Sequence, residues 1–158
     1  MKCCSIIGHR KIQNQHIVNA LTEKVVRKLL TEMNVSSFLF GSKSNFNDIC
    51  YDIVSKLKPE YPFIKRIYVR AEYPYVSAEY MEYLNTLFEE SYYFNSNSKS
   101  SKLNYIKRNE HIIDNCDLCL FYFDKNYVPT TKTNSGTHLA YNYAIKKKKE
   151  IINVFDML

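Results

Sequence analysis

Three short stretches of this chain hold residues suited to gripping an anion. "IIGHR" sets Gly8, His9 and Arg10 in a row, "FGSK" sets Gly41, Ser42 and Lys43, and "NSGT" sets Asn134, Ser135, Gly136 and Thr137. They contain the only three glycines of the 158 residues. Glycine is costly inside helices and strands and useful where backbone bends or meets a ligand closely. An arginine such as Arg10 makes bidentate contacts to phosphate. A helix opening at Gly136–Thr137, capped by Ser135 or Asn134, offers free N–H groups and the positive end of its dipole. Ser42 and Ser44 are phosphate contacts or caps of the next helix, and His9 is a contact or a satisfied helix-entry residue. This chemistry suits holding a phosphate. No nucleophile–base pair stands at recognisable spacing and no His/Cys/Asp/Glu set suits a metal, so neither a metal nor a cofactor is expected.

Further candidates follow two other apolar runs. Arg70 and Glu72 leave "IKRIYV". Glu72 suits ribose hydroxyls, as acidic residues do in dinucleotide sites, and a surface ion pair explains it equally well. Tyr73 and Tyr75 flank Pro74 and can stack on a base, although a chain with 14 tyrosines places some there by chance. Asp124, Asn126 and Tyr127 leave "DLCLFYF", where a base or ribose would lie.

The elements that must position these residues alternate. The apolar runs "KCCSIIG", "SSFLFG", "IKRIYV", "DLCLFYF" and "EIINVF" predict five strands. Apolar spacing predicts helices over 13–33 and 45–57, a third across 79–90 capped by Ser77, a fourth over "YIKRNEHIIDNC", and a fifth from Gly136. Pro59 and Pro62 end the second. "SYYFNSNSKSSKLN" is biased to Ser, Asn and Lys and is expected to be a mobile surface segment. Alternating strands and helices imply an α/β protein: a Rossmann-like three-layer sandwich around a five-stranded, mainly parallel sheet, in one domain over 1–158. The expected order is 3-2-1-4-5, with "IKRIYV" at an edge and the ligand crevice at the switch point between strands one and four.

Composition sets the class. Hydrophobic residues are 46% and charged residues 24%, which suits a globular chain. No apolar stretch approaches the ~20 residues of a membrane helix, and "MKCCSIIGHRK" lacks the features of a signal peptide, so a cytoplasmic location without a membrane partner is expected. Five cysteines, mostly in apolar runs, read as reduced buried thiols. "CDLC" is read as structural, because strand alternation sends Cys116 and Cys119 to opposite faces. The net charge of +6 owes much to "KKKK" at 146–149, a helix end whose cations offset the dipole. A nucleic-acid patch is the other reading of that run.

Taken in order, "CSIIGHR", "FLFGSKSNFNDICYDIV", "IKRIYVRAEYPY", "YIKRNEHIIDNCDLCLFYFD" and "NSGTHLAYNYA" resemble the YpsA-type branch of the SLOG superfamily. That superfamily includes the lonely-guy phosphoribohydrolases and the DNA-processing protein of transformation. The resemblance implies a Rossmann-like fold for a nucleotide-derived ligand. Against the lonely-guy motif, Gly136 and Thr137 match its Gly-Thr and Arg108 falls where its helix arginine would. Lys132, Thr133 and Asn134 replace its Pro-Gly-Gly, and Ala140 stands in place of its catalytic glutamate. The expectation is a homo-oligomeric sensor or sequestering protein for an ADP-ribose-like or cyclic signalling nucleotide, without efficient turnover. The alternatives are an N-glycosidic hydrolase, in which Glu72, Glu110 or Asp124 replaces the lost carboxylate, and a single-strand DNA-binding module.

Overall fold

A computed structural model of the protein describes residues 1–127 and 135–158. The elements run β1 (Lys2–Gly8), α1 (Gln15–Thr31), β2 (Val35–Phe40), α2 (Asn45–Leu57), β3 (Lys65–Arg70), α3 (Ala78–Leu87), β4 (Glu90–Tyr93), α4 (Ser101–Asp114), β5 (Leu118–Tyr122), α5 (Gly136–Lys146) and β6 (Glu150–Asn153), with a final 3₁₀ turn at Val154–Met157. Six strands form one sheet in the order β4-β3-β2-β1-β5-β6. Every neighbouring pair is parallel.

The expected five strands are present in the expected order, and β4 is added outside β3. This corrects two readings. "IKRIYV" is not an edge, and the Ser/Asn/Lys-rich segment begins with a strand and ends in the first turn of α4. Strand β4 has only four residues, alternating exposed and half-buried, and pairs only with β3. So short an element leaves little apolar signal in a sequence.

Side-chain alternation divides the core. From β1 and β2, Cys4, Ile6, Phe38 and Phe40 meet α1, α2 and the 3₁₀ turn on one face. Ile7 meets α4 and α5 on the other, as does Leu39 lower on the α4 side. All five residues of β5 are buried, as expected of a central strand covered by helices on both faces. Strand β1 lies between β2 and β5, where the chain reverses direction across the sheet. That reversal leaves a crevice beyond the carboxyl ends of β1 and β5.

The cysteines depart from simple alternation. Cys116 precedes β5, and it packs on the α4 side with Leu39, Val69 and Ile112, while Cys119 packs beside Ile7 and Ala144 on the same face of the sheet. Burial pushes the thiols of Cys4, Cys50, Cys116 and Cys119 upward in pKa, so they stay protonated. The "KKKK" run lies at the far end of α5. There Lys149 Nζ donates to the carbonyl of Cys116 at 2.8 Å, and Lys147 sits 4.0 Å from Asp114.

Candidate functional site

The crevice is a cleft of about 610 Å³ at the carboxyl ends of β1 and β2, walled by α4 and closed by the start of α5. That volume suits a small molecule. The three sequence stretches do converge. Gly8, His9 and Arg10, Gly41, Ser42 and Lys43, and Ser135, Gly136 and Thr137 all line it, with Glu72 and Arg108. Asn134 lies outside the described residues.

Arg108 dominates the electrostatics. It is only 3% exposed. Its Nη1 donates to the carbonyl of Gly41 at 2.5 Å and, more weakly, to that of Val69 at 3.4 Å, and its Nε donates to Asn109 Oδ1 at 3.2 Å. All three acceptors are neutral. No carboxylate pairs with Arg108 among the described residues, and Nη2 has no hydrogen-bond partner there. Burial lowers its pKa, yet a guanidinium stays charged. An unpaired buried cation costs several kcal/mol in a folded protein, so its side of the cleft favours an anion. Arg10, Lys43 and Lys102 add to it, and Glu72 is the one carboxylate among the described lining residues.

Helix α5 supplies the opposite wall. Ser135 caps it, its Oγ accepting from His138 N–H at 3.1 Å. The carbonyl of Ser135 takes Leu139 N–H. Among the described residues the N–H groups of Gly136 and Thr137 have no acceptor, which leaves two donors and the dipole facing the cleft. Thr137 is buried at this wall. Ala140, one turn on, points away into the core with Ile7 and Phe121, so a side chain there does not reach the cleft as α5 now packs.

The three glycines serve different ends. A Cβ on Gly8 would fall 2.5 Å from the Phe46 side chain, and one on Gly41 would fall 2.7 Å from the stem of Arg108. Both glycines therefore admit side chains from within the protein, and neither has a positive φ. This corrects, for Gly8 and Gly41, the expectation that each glycine opens the backbone to a ligand. Gly136 alone meets open space among the described residues.

The remaining candidates divide. Ser42 lines the cleft, and its Oγ accepts from Asn47 Nδ2 at 2.9 Å; Ser44 is the α2 cap. Asn47 thereby fixes the loop that carries Lys43. His9 is buried, stacked 4.4 Å from the ring of Tyr127, and its Nε2 accepts from Asp124 N–H at 3.0 Å. Burial lowers its pKa against the opposing pull of Asp124. The neutral ring then carries its proton on Nδ1. Asp124 acts through that backbone bond, and its carboxylate turns back to accept Asn126 N–H at 2.8 Å. Neither Asp124 nor Glu110 lines the cleft. Arg70 does not line it either; it faces an adjoining hollow. Lys43 and Glu72 pair across the boundary at 3.7 Å.

Sequence reasoning missed Lys102, Tyr105, Ile106 and Asn109, which with Arg108 form the α4 wall. Their spacing of i, i+3, i+4 and i+7 marks one helix face, a signal available once Arg108 is singled out.

The YspA SLOG family model (YpsA) matches residues 5–157. No curated protein matches the chain. Among solved structures it is similar to DNA processing protein A from Helicobacter pylori, a protein described for its single-stranded DNA binding mode. The TM-score is 0.58 at 16% identity, over 95% of this chain and 63% of that one. The chain thus spans under two thirds of that neighbour, and at this identity the likeness is one of fold.

Proposed function

The chain belongs to the YspA SLOG family, and from that premise we propose that its cleft binds the phosphate end of a nucleotide-derived small molecule, ADP-ribose-like or cyclic. The observation that carries this reading is Arg108: a buried guanidinium bonded only to neutral acceptors, facing the free N–H groups of α5. Two walls of donors around one space suit a phosphate. The role is sensing or sequestering. Ala140 supplies no proton, so acid–base help worth typically ~10²–10⁴-fold in rate is missing from that position.

Mass spectrometry of small molecules released from the purified, denatured protein tests this directly. The expected result is a phosphorylated nucleoside derivative recovered intact. Free base appearing at enzyme-like rates from a nucleoside monophosphate would replace the reading by an N-glycosidic hydrolase.

A second reading has its own support. The fold neighbour is a protein with a single-stranded DNA binding mode, and the described lining of the cleft sets four cations against one carboxylate. Oligonucleotide titrations decide it. Binding to any sequence that falls steeply with salt would favour DNA, since each neutralised phosphate releases counterions. Salt-insensitive indifference to oligonucleotides supports the small molecule.

A further inference from the structure

Beyond the Lys43–Glu72 pair lies a second hollow of about 390 Å³, between the end of β3 and the start of α3. Its walls carry four phenol rings: Tyr68, Tyr73, Tyr75 and Tyr80. Three are solvent-facing to an unusual degree, with Tyr73 64%, Tyr75 91% and Tyr80 38% exposed. Tyr68 is firmly placed, stacked 5.2 Å from Phe88. Arg70, only 7% exposed, stands among them. Its Nη1 donates to the carbonyl of Tyr73 at 2.9 Å, which fixes the loop, but its Nε is buried without an acceptor. A buried donor left unmade is uncommon and asks for an explanation.

We infer that this hollow is a second subsite, for the planar nitrogenous ring of the ligand whose phosphate sits in the first cleft. The inference rests on the reading of that cleft. Tyrosine faces stack on any base. Arg70 brings a guanidinium to the same wall. Glu72, which borders both spaces, accepts from the sugar hydroxyls between them. Tyrosines are four of the nine described residues lining this hollow, against two of nineteen in the first cleft, so the two spaces divide the work between ring and charge.

The test uses the full chain and two probes that differ only in the ring: ribose 5-phosphate and a panel of the common nucleoside 5′-monophosphates. Calorimetry gives the affinity of each. At least one nucleotide should bind about 10- to 100-fold more tightly than ribose 5-phosphate, the range expected for stacking of one base. Tyr73→Ala with Tyr75→Ala should erase that advantage and leave ribose 5-phosphate binding unchanged. Both side chains are exposed, so the fold tolerates their loss, and an unchanged urea midpoint verifies it. Equal affinity for ribose 5-phosphate and every nucleotide overturns the ring subsite while the phosphate cleft stands. A double variant that weakens both probes alike also overturns it. If no probe binds, the reading of the first cleft fails and this inference fails with it.

Discussion

Replacing Arg108 by Met separates a binding residue from a structural clamp. Two terms oppose each other in the fold. The bonds to the Gly41 carbonyl and to Asn109 Oδ1 are charge-assisted. At about 1.5–3 kcal/mol each they come to roughly 3–6 kcal/mol. Against them stands the desolvation of a cation without a carboxylate, several kcal/mol in the other direction. Met keeps most of the apolar stem that packs against Gly41. The terms nearly cancel, and urea denaturation should show a stability change within about 2 kcal/mol. Affinity for a phosphorylated probe has no such offset. Losing a charge-assisted bond should weaken binding about 10- to 150-fold by calorimetry. Arg108→Lys should retain part of that affinity, because the charge remains but the fork does not. A loss of more than ~4 kcal/mol in stability with probe binding unchanged would refute the reasoning. Arg108 would then be a tie between α4 and the β2 and β3 ends, and the cleft would need another anchor.

Gly136→Val places a side chain where no described residue stands, at the first turn of α5; calorimetry should show phosphate binding lost and denaturation an intact fold. Gly8→Ala should do the reverse, losing about 1–3 kcal/mol through the clash with Phe46. Equal effects of the two on stability would show that the glycines were misjudged. Burial depresses the rings of His9 and His111 below the ordinary value of 6.5. Between the depressed values and 6.5 the unfolded chain binds more protons, so this stability is present above 6.5 and is lost as pH falls through the folded values. Thermal midpoints measured from pH 7.5 down to 5 should therefore decline, and a rise would contradict the assignment.

Much of this arrangement is legible in the sequence because local chemistry agrees with tertiary need. The bounds of α2 follow from its apolar spacing, with Ser44 as cap and the prolines beyond it. Ser77 and Ser135 cap the helices that their positions predict. What escapes the sequence depends on partners distant along the chain. Phe46 reaches the backbone at Gly8, and Arg108 reaches across to Gly41; neither contact has a local mark. The same holds for Asp124, whose backbone and not its carboxylate serves the site by orienting His9. Strand β4 is hidden for a different reason, since four residues at an edge need only one partner and half an apolar face.

The position of β1 between β2 and β5 also bears on how the molecule assembles. Cys4 aligns with Phe38 early in the chain, yet its other flank waits for Leu118. The first three strands can pair through short crossovers, whereas α4 must carry the chain back across the sheet before β5 docks. Closing so long a loop is slow relative to local pairing. Until that passage is complete, Arg108 remains hydrated and the cleft has no anion-binding wall. The step that docks α4 on the ends of β2 and β3 is then the step that strips water from this cation. An anion already present in solution would offset the cost of that step and so oppose unfolding.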